Sequence, residues 1–124
     1  MAGDPRKTQE WVRRIVNEEY GTGSGGLSGN EDAGQMSAWL VFTMMGFYPV
    51  CPATNQYVMG VPMFKKITAN LENGKKLILN APENSHEKPY IESVKWNGKA
   101  YRNNWISNSE MMKGAVINYK MTGK

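Results

Sequence analysis

The sequence has very little of the chemistry that disulfide bonds or histidine sites require. It contains one cysteine, Cys51, and one histidine, His86, among 124 residues. A single cysteine excludes an internal disulfide bond, and a single histidine has no partner set for a catalytic triad or a histidine metal site. We therefore expect Cys51 to be a small buried hydrophobic residue and His86 to be a solvated loop residue.

Long hydrophobic runs are absent as well. Within the uncharged residues 33–64, the apolar part, residues 33–48, is interrupted by polar residues and is too short for a membrane span. The first residues, MAGDP, lack the apolar core of a signal peptide, although the chain need not begin where a longer parent begins. The sequence therefore gives no indication of a membrane partner.

Charge is unevenly distributed along the chain, whose net charge is +4. Residues 1–32 carry four basic and six acidic side chains, whereas residues 33–124 carry eleven basic and five acidic ones. The lysines of the second part are scattered along turns rather than clustered. That distribution is typical of a solvated surface and argues against a nucleic-acid partner.

The first periodic segment predicts an amphipathic helix over residues 5–20. Asp4 followed by Pro5 is a cap and first-turn pair. Apolar residues then recur at helical spacing and form a stripe on one side of the helix. The members of this stripe are Trp11, Val12, Ile15, Val16 and Tyr20.

A second helix is predicted from Glu31 or Asp32 to Met45, with Gly46 as its stop. Glycine-rich residues 21–26 separate it from the first helix and predict a flexible connection. The second helix is apolar on nearly every face. This pattern predicts a helix that is buried between other elements.

After Tyr48 the pattern changes to short alternating runs separated by turn signals, which indicates an antiparallel sheet or a small sandwich. The Asn-Gly pairs at residues 73–74 and 97–98 predict tight hairpin turns. The predicted strands are residues 56–60, 66–71, 76–81, 90–96, 99–102 and 115–121, with a helical turn within 107–113. The predicted fold class is thus α+β, with two N-terminal helices followed by the β region.

The most informative stretch is residues 26–39, GLSGNEDAGQMSAW, an acidic glycine-rich loop that runs into the apolar helix. Carboxyl groups beside a buried segment can have shifted proton affinities, so a catalytic role is one interpretation of the loop. Ser28 and Glu31 also have capping-box spacing, and Asp32 would complement the positive end of the helix dipole. From spacing alone, capping is the more common use of such residues.

Strand aromatics suggest a different class of function. Trp96, Tyr101 and Trp105 could form a platform for a sugar ring, as in a non-catalytic carbohydrate-binding or interaction module. Alternating aromatic residues on strands are nevertheless more often part of the core.

Residues 9–13, QEWVR, together with residues 26–39, resemble the C-terminal region of the family 92 glycoside hydrolases, which are exo-acting α-mannosidases. The resemblance continues through residues 46–52 (GFYPVCP), 57–60, 62–66 and 97–99, and covers essentially the whole chain. It implies that residues 1–48 are the last helices of an (α/α)6 barrel and that residues 49–124 form a C-terminal antiparallel β region. It also implies a secreted or periplasmic parent enzyme.

The resemblance assigns roles to the acidic loop. It implies that Asp32 is the general base of an inverting, Ca2+-dependent hydrolysis of terminal α-mannosides, with α-1,2 linkages favoured. Glu31 is implied to be a supporting residue, and Asn30 replaces an acid that some family members have two positions before the base.

The general acid and most calcium ligands are implied to lie upstream, so no metal ligand is assigned here and the isolated chain is expected to be inactive. The expected partners are a mannose-containing glycan, the upstream part of the same polypeptide, and a second copy through the exposed helix face.

Overall fold

The computed structural model describes residues 3–124, without the side chain of Pro52. Two helices come first and most strands follow, so the α+β class is confirmed; the division at residues 48 and 49 stays a prediction. The elements are α1 (Pro5–Glu19), α2 (Gln35–Met45), β1 (Phe47–Tyr48), a 3-10 turn (Pro52–Thr54), β2 (Gln56–Met59), β3 (Lys66–Asn70), β4 (Lys76–Asn80), β5 (Tyr90–Trp96), β6 (Lys99–Tyr101), β7 (Trp105–Ser107), α3 (Asn108–Met111) and β8 (Ala115–Thr122).

Helix α1 begins as its sequence predicts. The Asp4 carboxylate accepts a hydrogen bond from the Lys7 amide at 3.1 Å, and a proline occupies the first turn. The apolar stripe is only partly covered, because Val16 is buried whereas Trp11 and Ile15 remain 51% and 37% exposed.

Helix α2 starts later than predicted, at Gln35, because the backbone of the three preceding residues has positive φ and cannot continue a right-handed helix. It stops at Gly46, as predicted, with a φ of 89°. A Cβ atom at Gly46 would lie 2.7 Å from the nitrogen of Pro62, so the close approach of these segments requires glycine. Helix α2 is only partly covered, since Thr43 is its one fully buried residue and Val41 is 56% exposed, which agrees with the expected exposed helix face.

The glycine-rich connection between α1 and α2 is a closed turn rather than the predicted flexible link. The Gly21 amide donates to the Gly26 carbonyl at 2.8 Å, and the Gly26 amide donates to the Gly23 carbonyl at 3.1 Å. Tyr20 and Leu27 pair as an antiparallel bridge at the base of this turn. The acidic loop therefore begins at a defined point beside the end of α1.

The strands form a three-stranded sheet of order β1-β2-β7 and a five-stranded sheet of order β3-β4-β8-β5-β6. The hairpins β3–β4 and β5–β6 turn at residues 73–74 and 97–98, as the Asn-Gly pairs predict. One pairing departs from the predicted antiparallel arrangement, because β8 runs parallel to β4. Strand β8 inserts between β4 and β5 late in the chain, so the larger sheet is mixed.

The two sheets share one hydrophobic core. Strand β8 alternates buried and exposed residues, and its buried residues Ala115 and Ile117 lie beside Leu77 and Leu79 of β4 on the same face of the sheet. Phe42 and Met45 of α2 pack against the same core, which fixes α2 and the loop before it. The buried core members are Phe47, Val61, Leu77, Leu79, Ala81, Ile106, Met111, Ala115, Ile117, Tyr119 and Met121.

Cys51 and His86 both lie at the surface. His86 is exposed, as predicted, whereas the exposed thiol of Cys51 contradicts the predicted buried position, because the surrounding proline-rich link runs over the surface. Within residues 3–124, no helix combines the length and apolar character that membrane crossing requires.

Candidate functional site

The acidic loop enters α2 through a strained turn. Asp32, Ala33 and Gly34 have φ values of 39°, 61° and 86°, and all three lie in the left-handed region. A non-glycine residue there costs about 1–2 kcal/mol, and such conformations persist only where surrounding contacts enforce them. Residues of this kind cluster at functional sites. The pattern of the sequence does not reveal this turn, because aspartate and alanine have no strong preference for positive φ.

Glu31 makes the hydrogen bond that the start of α2 needs. Its Oε1 accepts the Ser37 amide at 3.1 Å, and its backbone carbonyl accepts the Gln35 amide at 3.1 Å. Gly34 occupies the cap position and offers no side-chain bond. The predicted Ser28–Glu31 capping box therefore does not form, and Glu31 caps the helix across the turn instead.

The second carboxylate oxygen of Glu31 is buried. Oε2 has essentially no solvent contact and no hydrogen-bond partner among residues 3–124. A buried polar atom without a partner lowers stability, so its retention calls for a structural or functional reason. Glu31 is thus a constrained carboxylate rather than an ordinary surface acid.

Asp32 and Asn30 are placed differently from Glu31. Both side chains are exposed, and neither bonds to another of the described residues. The interpretation of Asp32 as a helix-capping residue is therefore not supported, because Glu31 fills that role. The carboxylate of Asp32 is exposed on the turn and makes no side-chain bond to the described residues.

An aromatic cluster joins the end of α1 to α2 beside the acidic loop. The ring of Tyr20 stacks on that of Trp39, with 5.5 Å between the ring centroids and an interplanar angle of 11°. The ring centroids of Trp39 and Tyr48 are 6.4 Å apart. The Tyr20 hydroxyl donates to the Met36 carbonyl at 3.4 Å. Burial raises the pKa of Tyr20, and the charge of Glu31 and the neighbouring Tyr48 raise it further. Tyr20 therefore remains a neutral donor that holds the end of α1 against the first turn of α2.

Two grooves lie away from the acidic loop. One of about 360 Å³ is lined by apolar residues of β2 and the link after it and by Val12 and Arg13 of α1. A second of about 390 Å³ lies between Arg6 and the region of Ile91 and Tyr101. Residues 30–32 line neither groove.

Arg13 ties α1 to two loops of the β region. Its guanidinium donates to Asn84 Oδ1 at 2.9 Å, and the Asn84 amide donates to the Pro62 carbonyl at 2.7 Å. Burial lowers the pKa of Arg13. No sequence pattern predicts this contact, because its partners lie 71 positions apart.

The proposed aromatic platform is not assembled. Trp96 packs against the core and pairs with Tyr101 at 5.6 Å. Trp105 lies on β7 in the other sheet, and Tyr101 reaches only its backbone carbonyl, at 2.9 Å. No observation on these residues favours a sugar-binding module.

The acidic loop, residues 26–34, presents one free carboxylate, that of Asp32, and does not by itself form a catalytic pair. Inverting glycosidases require two carboxyl groups about 6.5–9.5 Å apart on opposite faces of the sugar. Glu31 is adjacent to Asp32 and is engaged as a cap, so these two acids do not straddle a sugar ring.

A calcium ion does not fit the described residues by themselves. Calcium takes 6–8 oxygen ligands, most of them from carboxylates and carbonyls. In residues 3–124, no three His, Cys, Asp or Glu side chains come together.

Comparison with known proteins gives a consistent picture. Residues 1–123 match the family described as "Glycosyl hydrolase family 92 catalytic domain". A protein of the fungus Arthroderma benhamiae, named "Uncharacterized secreted glycosidase", is 28% identical over 119 residues, which are 94% of this chain and 15% of that protein.

Two solved structures from Bacteroides thetaiotaomicron are also similar. A family GH92 α-mannosidase in complex with mannoimidazole is 39% identical, with a TM-score of 0.91 over 97% of this chain and 16% of that one. A family GH92 inverting mannosidase is 41% identical, with a TM-score of 0.90 over 98% of this chain and 17% of that one. The chain thus spans about a sixth of the length of these relatives, and it belongs to glycoside hydrolase family 92.

Proposed function

We propose that the chain is the C-terminal segment of the catalytic domain of an inverting exo-α-mannosidase, and that it supplies the general base, Asp32. The substrate is a glycan with terminal α-linked mannose, α-1,2 linkages first. The proposal is supported by family membership over residues 1–123 and by two relatives named as mannosidases, one of them as inverting. The observation that carries the assignment of the base is the unbonded, exposed carboxylate of Asp32 on an enforced turn.

The reaction follows from this placement. Asp32 accepts a proton from a water molecule as that water attacks the anomeric carbon, while a second carboxyl group protonates the departing oxygen on the opposite face. General base assistance contributes about 10²–10⁴ in rate. Glu31 is held as a cap and is therefore not that acid, and the resemblance implies that the acid lies upstream of this chain. That division agrees with the small share of each relative that the chain covers.

The remaining parts of the proposal concern the whole enzyme. Its calcium ion would take most of its ligands from outside this chain, and no step assigned to these residues depends on it. We place the enzyme outside the cytoplasm, secreted or periplasmic, since the fungal relative is named a secreted glycosidase. Its partners are the mannose-containing glycan and the remainder of its own polypeptide.

The stereochemistry of the first product tests this function. We expect the full-length enzyme, supplied with an aryl α-mannoside and Ca2+, to release β-mannose first, as followed by the anomeric proton signals in NMR. The isolated 124-residue chain should show no turnover under the same conditions, since one carboxyl group of the pair is absent from it. Release of α-mannose, or turnover by the isolated chain at an ordinary enzymatic rate, would contradict the proposal.

A further inference from the structure

We propose that Glu31 is a positioning residue that holds Asp32 in its catalytic place. This inference rests on the proposed function, because it concerns the same reaction. It names a role for a carboxylate that does not itself touch the substrate.

The geometry of the turn carries the first step. Glu31 stands before the turn and bonds to the helix after it. Its backbone carbonyl accepts the Gln35 amide and its Oε1 accepts the Ser37 amide, each at 3.1 Å. The three residues enclosed between these bonds all have positive φ. Two of them, Asp32 and Ala33, are non-glycine residues that would leave this region if the turn were released.

The burial of Oε2 carries the second step. A carboxylate that only capped a surface helix would keep its second oxygen in water, because a buried polar atom without a partner lowers stability. Oε2 of Glu31 is instead enclosed and unpartnered. Glu31 is thus fixed in one orientation at a cost in stability, and the enclosed oxygen is not the group that meets the attacking water.

The third step is the consequence for Asp32. The side chain of Asp32 makes no bond of its own within the described residues, so its position depends on the backbone of the turn. Misplacement of a catalytic group by about 1 Å can cost about 10²-fold in rate. Loss of the Glu31 bond is therefore expected to act through Asp32, on turnover rather than on substrate binding.

Substitutions in the full-length enzyme test the inference. We expect Glu31→Ala to lower kcat by about 10²-fold with KM nearly unchanged. Glu31→Gln should restore most of kcat, because its amide oxygen can still accept the Ser37 amide. Ser37→Pro removes the donor of the same bond at a first-turn position that tolerates proline, and it should lower kcat as Glu31→Ala does even if the latter folds poorly.

Asp4→Ala is the matched control. It removes a cap bond of the same 3.1 Å length at the start of α1, far along the chain from the loop. We expect it to leave kcat unchanged and to lower the melting temperature about as much as Glu31→Ala does. A loss of kcat as large in Asp4→Ala would show that helix capping alone explains the effect and would overturn the inference.

The outcomes separate this inference from the proposed function. If Asp32→Asn in the same enzyme leaves kcat intact, the proposed base is wrong. If Asp32→Asn abolishes turnover while Glu31→Ala and Ser37→Pro do not lower it, Asp32 keeps its role and the positioning role fails. If Glu31→Gln is as inactive as Asp32→Asn, the charge of Glu31 is itself required, and positioning is again overturned.

Discussion

Tyr119 combines a favourable and an unfavourable contribution to the stability of the core. Its ring is 3% exposed on β8, and its hydroxyl is buried without a hydrogen-bond partner among residues 3–124. Burial raises the pKa of Tyr119 far above its ordinary value. An unpaired buried hydroxyl costs about 1–3 kcal/mol, so the aromatic ring is retained for its packing.

We expect Tyr119→Phe to leave the free energy of unfolding unchanged or to raise it by roughly 1 kcal/mol at pH 7, since it removes the unpaired group and keeps the ring. In the wild type, the unfolded tyrosine ionises near pH 10 while the folded one stays protonated. The unfolded state therefore binds fewer protons above about pH 10, and stability falls as pH rises from there.

The variant should lose less stability than the wild type between pH 9 and 11 in urea titrations. Tyr20 and Tyr101, whose pKa values burial raises, and Lys120, whose pKa the hydrogen bond to Glu92 raises, would contribute to the remaining decline. A marked loss of stability in Tyr119→Phe at pH 7 would mean that the hydroxyl has a partner after all.

At the scale of elements, helix α2 packs against the core with part of its surface and leaves another part exposed. Phe42 and Met45 pack against the core. The ring centroid of Phe42 lies 6.0 Å from that of Phe47 and 6.0 Å from that of Tyr57. Val41, which lies across the helix from the buried Thr43, is exposed, although the helix is apolar on nearly all faces. An exposed apolar helix face marks an interaction surface, and in the proposed full-length enzyme the remainder of the domain would cover it.

In the isolated chain, this face should drive self-association. We expect the sedimentation coefficient to rise with protein concentration, and Val41→Glu to reduce that rise, because a charge opposes burial of the face. Val116→Glu, at a 39% exposed valine of β8, is the matched control and should leave the association unchanged. A monomer at every concentration would refute the predicted association.

The elements also show where sequence reasoning succeeds. The Asp4 cap, the Gly46 stop and the two Asn-Gly turns were predictable because each depends on local backbone preferences. The parallel pairing of β8 with β4 was not, because it joins segments about forty residues apart and no local pattern encodes it.

Only part of the candidate site, likewise, could be predicted from the sequence. The resemblance to family 92 pointed to Asp32, whereas residue types and spacing alone favoured capping, and a capping role for Asp32 and one for Glu31 looked alike in the sequence. Only the positive φ of residues 32–34 shows that the helix starts at Gln35 and that Glu31 is its cap. The exposure of Cys51 was missed because residue type alone favours burial.

At the scale of the whole molecule, the chain has a complete core and an incomplete site. Both sheets and α2 contribute to one hydrophobic cluster, whereas the loop before α2 presents only one free carboxylate. The proposed base, Asp32, would have no use without its acid. The family membership and the small share of each relative covered explain this combination, since the rest of the pocket would come from the longer polypeptide.

The most direct test of this account is kcat of Asp32→Asn in the full-length enzyme at saturating aryl α-mannoside. Asp4→Asn is its control, since Asp4 is the only other aspartate of the chain and asparagine also caps helices well. We expect Asp32→Asn to lower kcat by about 10²–10⁴ with KM little changed, and Asp4→Asn to match the wild type. An Asp32→Asn enzyme with wild-type kcat would contradict the account.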